Sequence, residues 1–204
     1  MRIYTGLIIF LLSVGLTTAC QPRVPLDPPP GRQPHSSKTA PPKIITSTAY
    51  GKFSGNVASE WLDNGQMRLL EAFSYQDPRG KLWLAPKGSI VNGASIPSQF
   101  WGVVGGPFSG NYRKASVIHD VACVKRKRPW PMVHRAFYTA MRAGGVPSTR
   151  AKIMYAAVRF FGPRWKTDGT RTPTPNKISD KQFDDLKAQI ESGKLSLDQI
   201  DDFQ

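Results

Sequence analysis

Acid is almost missing from the middle of this 204-residue chain. Between Pro78 and Thr167 the only acidic side chain is Asp120, against sixteen lysines and arginines in the same stretch. From Asp168 onward the sign reverses, with eight acids and five bases, yet the whole chain still carries a formal charge of +14. Cysteine is scarce too, with only Cys20 and Cys123. If Cys20 is lipidated, Cys123 has no partner, which excludes a disulfide framework and a cysteine-based metal site. After the first twenty residues no long apolar run exists, which excludes a chain that spans a membrane repeatedly. No internal repeat is visible.

At the N-terminus stand the parts of an export signal: Arg2 supplies positive charge and Thr5 to Leu16 form an apolar run. That run is too short to cross a bilayer comfortably. It ends in Leu16-Thr17-Thr18-Ala19-Cys20, which resembles a lipobox, with Thr17 where an aliphatic residue is usual. Residues 1–19 are therefore expected to be a signal peptide and Cys20 the lipidation site. Acyl chains at about 0.8 kcal/mol per buried methylene hold such a protein on a membrane without a transmembrane helix. The residue after the cysteine is Gln21, not aspartate. By resemblance to diderm sorting rules this favours the periplasmic face of the outer membrane, and in a monoderm host the cell exterior. Residues 20–43 are rich in proline and polar side chains, a stiff spacer with too few apolar groups to repay ordering.

Residues 44–167 form the expected globular domain and residues 168–204 a linker with an acidic helical tail. A basic surface concentrates polyanions through its long-range field. For an exported protein these are anionic lipid or an envelope polymer; nucleic acid is disfavoured by address and not expected, although the run Lys125-Arg126-Lys127-Arg128 would suit phosphate. The plainer alternative for that run is a solvated loop between two helices.

Gln66–Tyr75 and Lys81–Pro86 are apolar and aromatic enough for strands, and the separator Gln76-Asp77-Pro78-Arg79-Gly80 is turn chemistry, so a hairpin is predicted. Phe53–Val57 is a candidate edge strand. Lys87–Tyr112, dense in glycine and proline, is predicted to be an ordered loop. Three helices follow: Asn111–Val124, one opening at Pro131 and stopping at Gly144-Gly145, and one from Ser148 to Gly162-Pro163. Thr167–Lys177 reads as a linker. In the tail, Ser179 with Gln182 and Ser196 with Gln199 are capping-box patterns that introduce two short helices.

Helical spacing places His119 on a stripe with Ala115, Ala122 and Cys123, facing the packed side, while Asp120 lies a hundred degrees round, beside Val117 and Val124. His134 on the second helix faces His119 if the two helices form an antiparallel hairpin. Two imidazoles and one carboxylate offer a thin transition-metal set. The structural alternative is a packed histidine pair, with Asp120 in a salt bridge to Arg113, Lys114 or Arg135. Cys123, one turn after His119, has a spacing that suits nucleophile and base, against the plainer reading of a small thiol filling the core.

The succession Asn92-Gly93-Ala94-Ser95-Ile96-Pro97, Phe100-Trp101, Gly110-Asn111-Tyr112, Ile118-His119-Asp120, then Phe137, Ala140-Met141, Met154-Tyr155 and Phe161-Gly162, resembles the bacterial and phage domain-of-unknown-function family 1353 over about Phe53 to Trp165. The resemblance implies a fold and a site, not an activity. Its loop motif usually begins with aspartate, where this chain has Asn92, and its second helix usually carries an aspartate, where this chain has His134. More distantly, a His-Asp helix preceded by glycines and packed on a second helix looks like the secreted calcium-dependent phospholipases. That likeness implies His119 as base, Asp120 as calcium ligand, and His134 where an orienting carboxylate belongs. With one carboxylate in a positive surround, calcium affinity should be poor. No other cofactor is expected.

The fold expected is α+β: a small antiparallel sheet packed with a three-helix layer, plus a short acidic helical tail. Two functions follow. In the first, a lipid-anchored envelope protein binds an anionic envelope component through Lys125 to Arg128 without catalysis. In the second, it hydrolyses an envelope lipid ester with His119, Asp120 and His134 beside the Asn92–Pro97 loop. The departures at Asn92 and His134 favour the first.

Overall fold

Every side chain that faces inward along Phe73–Gln76 is aromatic, and the turn that follows is closed by one carboxylate. In the computed structural model, which describes residues 48–93, 110–173 and 178–203 of the unit Pro42–Gln204, Asp77 Oδ1 accepts the backbone N–H of Arg79 at 3.0 Å and of Lys81 at 2.9 Å. Its Oδ2 accepts Trp83 Nε1–H at 3.0 Å. Gly80 supplies the positive φ (+78°) that ends the turn. The predicted hairpin is therefore present, as β4 (Phe73–Gln76) against β5 (Leu82–Ala85), with Tyr75 opposite Trp83. β1 (Lys52–Phe53) covers its edge antiparallel to β4, earlier and shorter than the Phe53–Val57 strand expected.

The single strand expected over Gln66–Tyr75 is two. β3 (Met67–Leu69) leaves for a second sheet between β2 (Ser59–Trp61) and β6 (Ile90–Val91), and only Phe73 onward stays with the hairpin. The break has a physical cause. Met67, Leu69, Phe73 and Tyr75 are buried at alternate positions, but Glu71 falls on the same inward phase and is exposed. An unpaired carboxylate cannot be carried into the core, so the strand ends and the chain turns. β6 lies in the segment read as a loop.

Three helices pack on these sheets: α1 (Arg113–Lys125), α2 (Trp130–Ala143) and α3 (Ser148–Phe161). Their limits follow the punctuation seen in the sequence, with Pro131 in the first turn of α2 and Gly144 just after its end. α1 packs on β5 and α2, and α2 packs on α3. The shared core holds Ala115, Ile118, Phe137, Met141, Met154 and Val158 among others, each at most 3% exposed. After α3 the supposed linker contains strand: β7 (Arg164–Trp165) pairs antiparallel with β8 (Arg171–Thr172). The architecture is α+β.

The acidic tail is docked on the domain. α4 (Asp180–Glu191) and α5 (Leu197–Asp201) both begin with complete capping boxes, at Ser179/Gln182 and Ser196/Gln199. Phe183, Leu186, Ile190 and Ile200 are buried, at about 1.5–3 kcal/mol for each large apolar side chain. Arg135 Nε and Arg159 Nε donate to Asp201 at 2.9 and 2.7 Å, Tyr155 Oη donates to the same carboxylate, and Arg135 also meets Asp198. Desolvation works against ionised Asp201, but the hydrogen bonds from Tyr155, Arg135 and Arg159 prevail and hold its carboxyl below the usual range. Part of the basic surplus is thus spent on the tail. Among the described residues no helix is long and apolar enough to cross a membrane.

Candidate functional site

His119 and Asp120 sit mid-helix in α1, and successive positions send them to different partners. Asp120, 3% exposed, points toward the end of β6, where its Oδ2 accepts the backbone N–H of Asn92 at 3.0 Å and of Gly93 at 2.8 Å. These are charge-assisted bonds, about twice the strength of neutral ones. The carboxylate holds the start of the Asn92–Pro97 segment; Ala94, Ser95, Ile96 and Pro97 lie outside the described residues. Arg135, one of the cations considered for Asp120, is instead engaged by Asp198 and Asp201.

His119 turns the other way, into the α1–α2 seam, and is 1% exposed. Its Nε2 lies 2.9 Å from Nδ1 of His134, itself fully buried, so the helices do form the hairpin that brings the imidazoles together. The protons in this pair can be placed by elimination. His134 Nε2 lies 3.2 Å from the carbonyl oxygen of Pro163, which can only accept, so that nitrogen carries hydrogen. Burial, reinforced by the neighbouring His119, pushes the His134 pKa well below its ordinary value, and the ring is neutral. Its Nδ1 is therefore an acceptor, and His119 Nε2–H donates to it.

Aromatic rings wall the pair. Phe137 lies 4.6 Å from the His119 ring centroid, and Trp130 and Trp165 lie 5.5 and 6.4 Å from that of His134. Cys123 completes the cluster, with Sγ 3.6 Å from His119 Nε2 and 3.8 Å from Nδ1. Near-equal distances to the two ring nitrogens mean contact rather than an aligned hydrogen bond. Burial first, then the Asp120 charge, pushes the thiol pKa up, so Cys123 is a thiol and not a ready nucleophile. Sequence reasoning grouped the two histidines with Asp120 and left Cys123 in the core; the side chains group the histidines with Cys123 and give Asp120 Oδ2 to the loop. The His119–Cys123 spacing of four was the available signal. Nothing local pointed to Pro163 as the acceptor that orients His134.

The basic run is the connector between α1 and α2, and it is anchored. Arg126, in left-handed conformation at φ 50°, caps α1, and its Nη1 donates to Gly169 O at 3.0 Å. Arg128 donates to Leu82 O at 2.8 Å and lies over the Trp83 ring, while Trp165 Nε1–H donates to Arg128 O. Lys125 and Lys127 remain exposed. Beside them Leu82, Leu84 and Val124 are 54%, 51% and 70% exposed. A groove of about 190 Å³ runs between, floored by Trp83, Ile118, Ala122 and Val133. Cys20 lies outside the described residues.

Residues 67–158 match a family described as protein of unknown function, DUF1353. That segment is similar to DUF1353. Two relatives from Sinorhizobium fredii (strain NBRC 101917 / NGR234) are both described as uncharacterized. The protein y4jT is 48% identical over 119 residues, which is 57% of this chain and 35% of the relative. The protein y4iH is 42% identical over 99 residues, which is 48% of this chain and 41% of the relative. The chain thus spans well under half the length of either. No solved structure matches it. The matched segment runs from β3 into α3 and includes the Asp120–loop contact, both imidazoles, Cys123 and the basic connector. It leaves out Pro163 and the docked tail.

Proposed function

We propose that this protein is a lipid-anchored envelope protein whose basic, apolar-floored face lies on an anionic lipid surface, and that this member is not catalytic. The observation that carries the reading is the pairing of exposed Leu82 and Leu84 with Lys125, Lys127 and Arg128 around one groove, with exposed Val124 next to Lys125 in the chain. Apolar side chains that are half or more exposed gain by entering the headgroup boundary, and each nearby lysine or arginine adds about 1 kcal/mol at an anionic surface. The lipobox-like Leu16–Cys20 segment supports an anchor at the same membrane. The imidazole pair supports the non-catalytic part: a neutral His134 cannot stabilise an imidazolium as a carboxylate does, and Asp120 Oδ2 is occupied by two backbone donors. The test is sedimentation of the unit from Pro42 to Gln204 with vesicles. Binding to anionic vesicles that weakens steeply with salt is expected, with little binding to zwitterionic ones. Equal binding to both would refute the reading.

One observation favours a second reading, a hydrolase of an envelope lipid ester. His119 Nε2 is held by a hydrogen-bonded neighbour, an arrangement suited to a base that acts through Nδ1. Under this reading His119→Ala abolishes ester hydrolysis, and aspartate introduced together at 92 and 134 produces calcium-dependent thermal stabilisation.

A further inference from the structure

We infer that His119, Cys123 and His134 form a binding site for one zinc-class metal ion. Three independent donors converge: Nε2 of His119, Sγ of Cys123 and Nδ1 of His134, all within 4.8 Å of one another and all buried. His119 and Cys123 are one turn apart on α1, the spacing at which two side chains chelate from one helix face, and His134 comes across the seam from α2. An ion with bonds of about 2.0 Å to nitrogen and 2.3 Å to sulfur in tetrahedral geometry separates N from N by about 3.3 Å and N from S by about 3.6 Å. The His119–His134 and His119–Cys123 separations here are 2.9 and 3.6 Å, and the Cys123–His134 pair, within 4.8 Å, is the long one, so the imidazoles part by a few tenths of an ångström and Cys123 Sγ closes on His134 by about one.

The surroundings suit the ligands. His134 donates its remote Nε2–H to the Pro163 carbonyl, the kind of outer contact that fixes a metal-bound imidazole in tautomer and direction. One thiolate and two imidazoles select a borderline-soft ion such as zinc and not calcium or magnesium, which require several oxygens. Binding balances simply. The Cys123 thiol loses its proton to solvent, the His119 proton moves from Nε2 to Nδ1, and His134 keeps its own, so one proton is released per ion. Asp120, close enough to act electrostatically on Cys123, adds negative charge beside the site, while Arg159 and Arg164 act on His134 in the opposite sense. The ligand set, not the field, therefore sets the affinity.

The experiment uses the full chain, stripped with chelator and titrated with Co²⁺ and then Zn²⁺. One equivalent of Co²⁺ is expected to raise a near-ultraviolet thiolate-to-metal band that Zn²⁺ displaces. Saturating Zn²⁺ is expected to raise Tm by roughly 5 °C or more, while Ca²⁺ leaves it unchanged. The band should survive Cys20→Ser and vanish in Cys123→Ser. Its absence from the unsubstituted chain overturns the inference without reference to any variant, as does a band that persists in Cys123→Ser. Vesicle binding does not depend on this site, so failure here leaves the membrane reading standing and failure there leaves the metal site standing.

Discussion

Asp120 shows how much one carboxylate carries in a basic segment. It is buried, it closes α1 onto the end of β6, and truncating it takes this acceptor from two backbone donors. Asp120→Ala is expected to cost about 2–4 kcal/mol, a fall of roughly 5–12 °C in Tm by calorimetry. Asp120→Asn, which keeps an oxygen but loses the charge, should cost less than half as much. A result within experimental error for Asp120→Ala would show that the loop is held by something else. The neighbouring imidazole answers to a different part of the protein, through His134 to Pro163. At this scale the sequence was partly legible: helical periodicity put His119 inward and set the pair apart in direction, but the orienting carbonyl lies twenty-nine residues beyond His134 and no spacing rule connects them.

Among the elements, those with chemical punctuation were the ones read correctly. Pro131, Gly144 and the two Ser-x-x-Gln boxes mark helix ends by supplying or withholding specific hydrogen bonds, so their positions survived folding. The strands were harder. Glu71 on the inward phase was the only sign that Gln66–Tyr75 breaks, and β7 and β8 are too short to display any alternation. That the tail docks could not be read from charge alone, since opposite signs permit many pairings; Arg135 and Arg159 meeting on Asp201 decide it. Asp201→Ala is expected to lose about 2 kcal/mol and to expose α5 to limited proteolysis before the rest of the domain. The same knot sets a pH response. Asp201 has its folded pKa depressed below the ordinary 3.8, so its contribution is complete above that value and is lost as pH falls through and below it. Acid titration followed by proteolysis should therefore release the tail below about pH 4; Asp201→Asn should flatten that acid step.

For the whole molecule, the surplus of positive charge divides into two kinds. Arg126, Arg128, Arg135 and Arg159 are committed to carbonyls, a tryptophan face or the tail, and changing them disturbs the fold. Lys125 and Lys127 are exposed on the rim of an apolar groove, Lys125 with only a long 3.4 Å contact to Leu84 O, and both can meet a flat anionic partner. The composition announced a basic protein, but it could not say which cations are structural, because that depends on carbonyls contributed by β5 and the β7–β8 turn.

The direct measurement is the affinity of three forms of the Pro42–Gln204 unit for anionic vesicles: unsubstituted, Lys125→Gln with Lys127→Gln, and His119→Ala. The account predicts about a 30-fold loss for the double lysine variant, from roughly 1 kcal/mol per lysine, and an unchanged affinity for folded His119→Ala. Affinity that survives the loss of both lysines would contradict it.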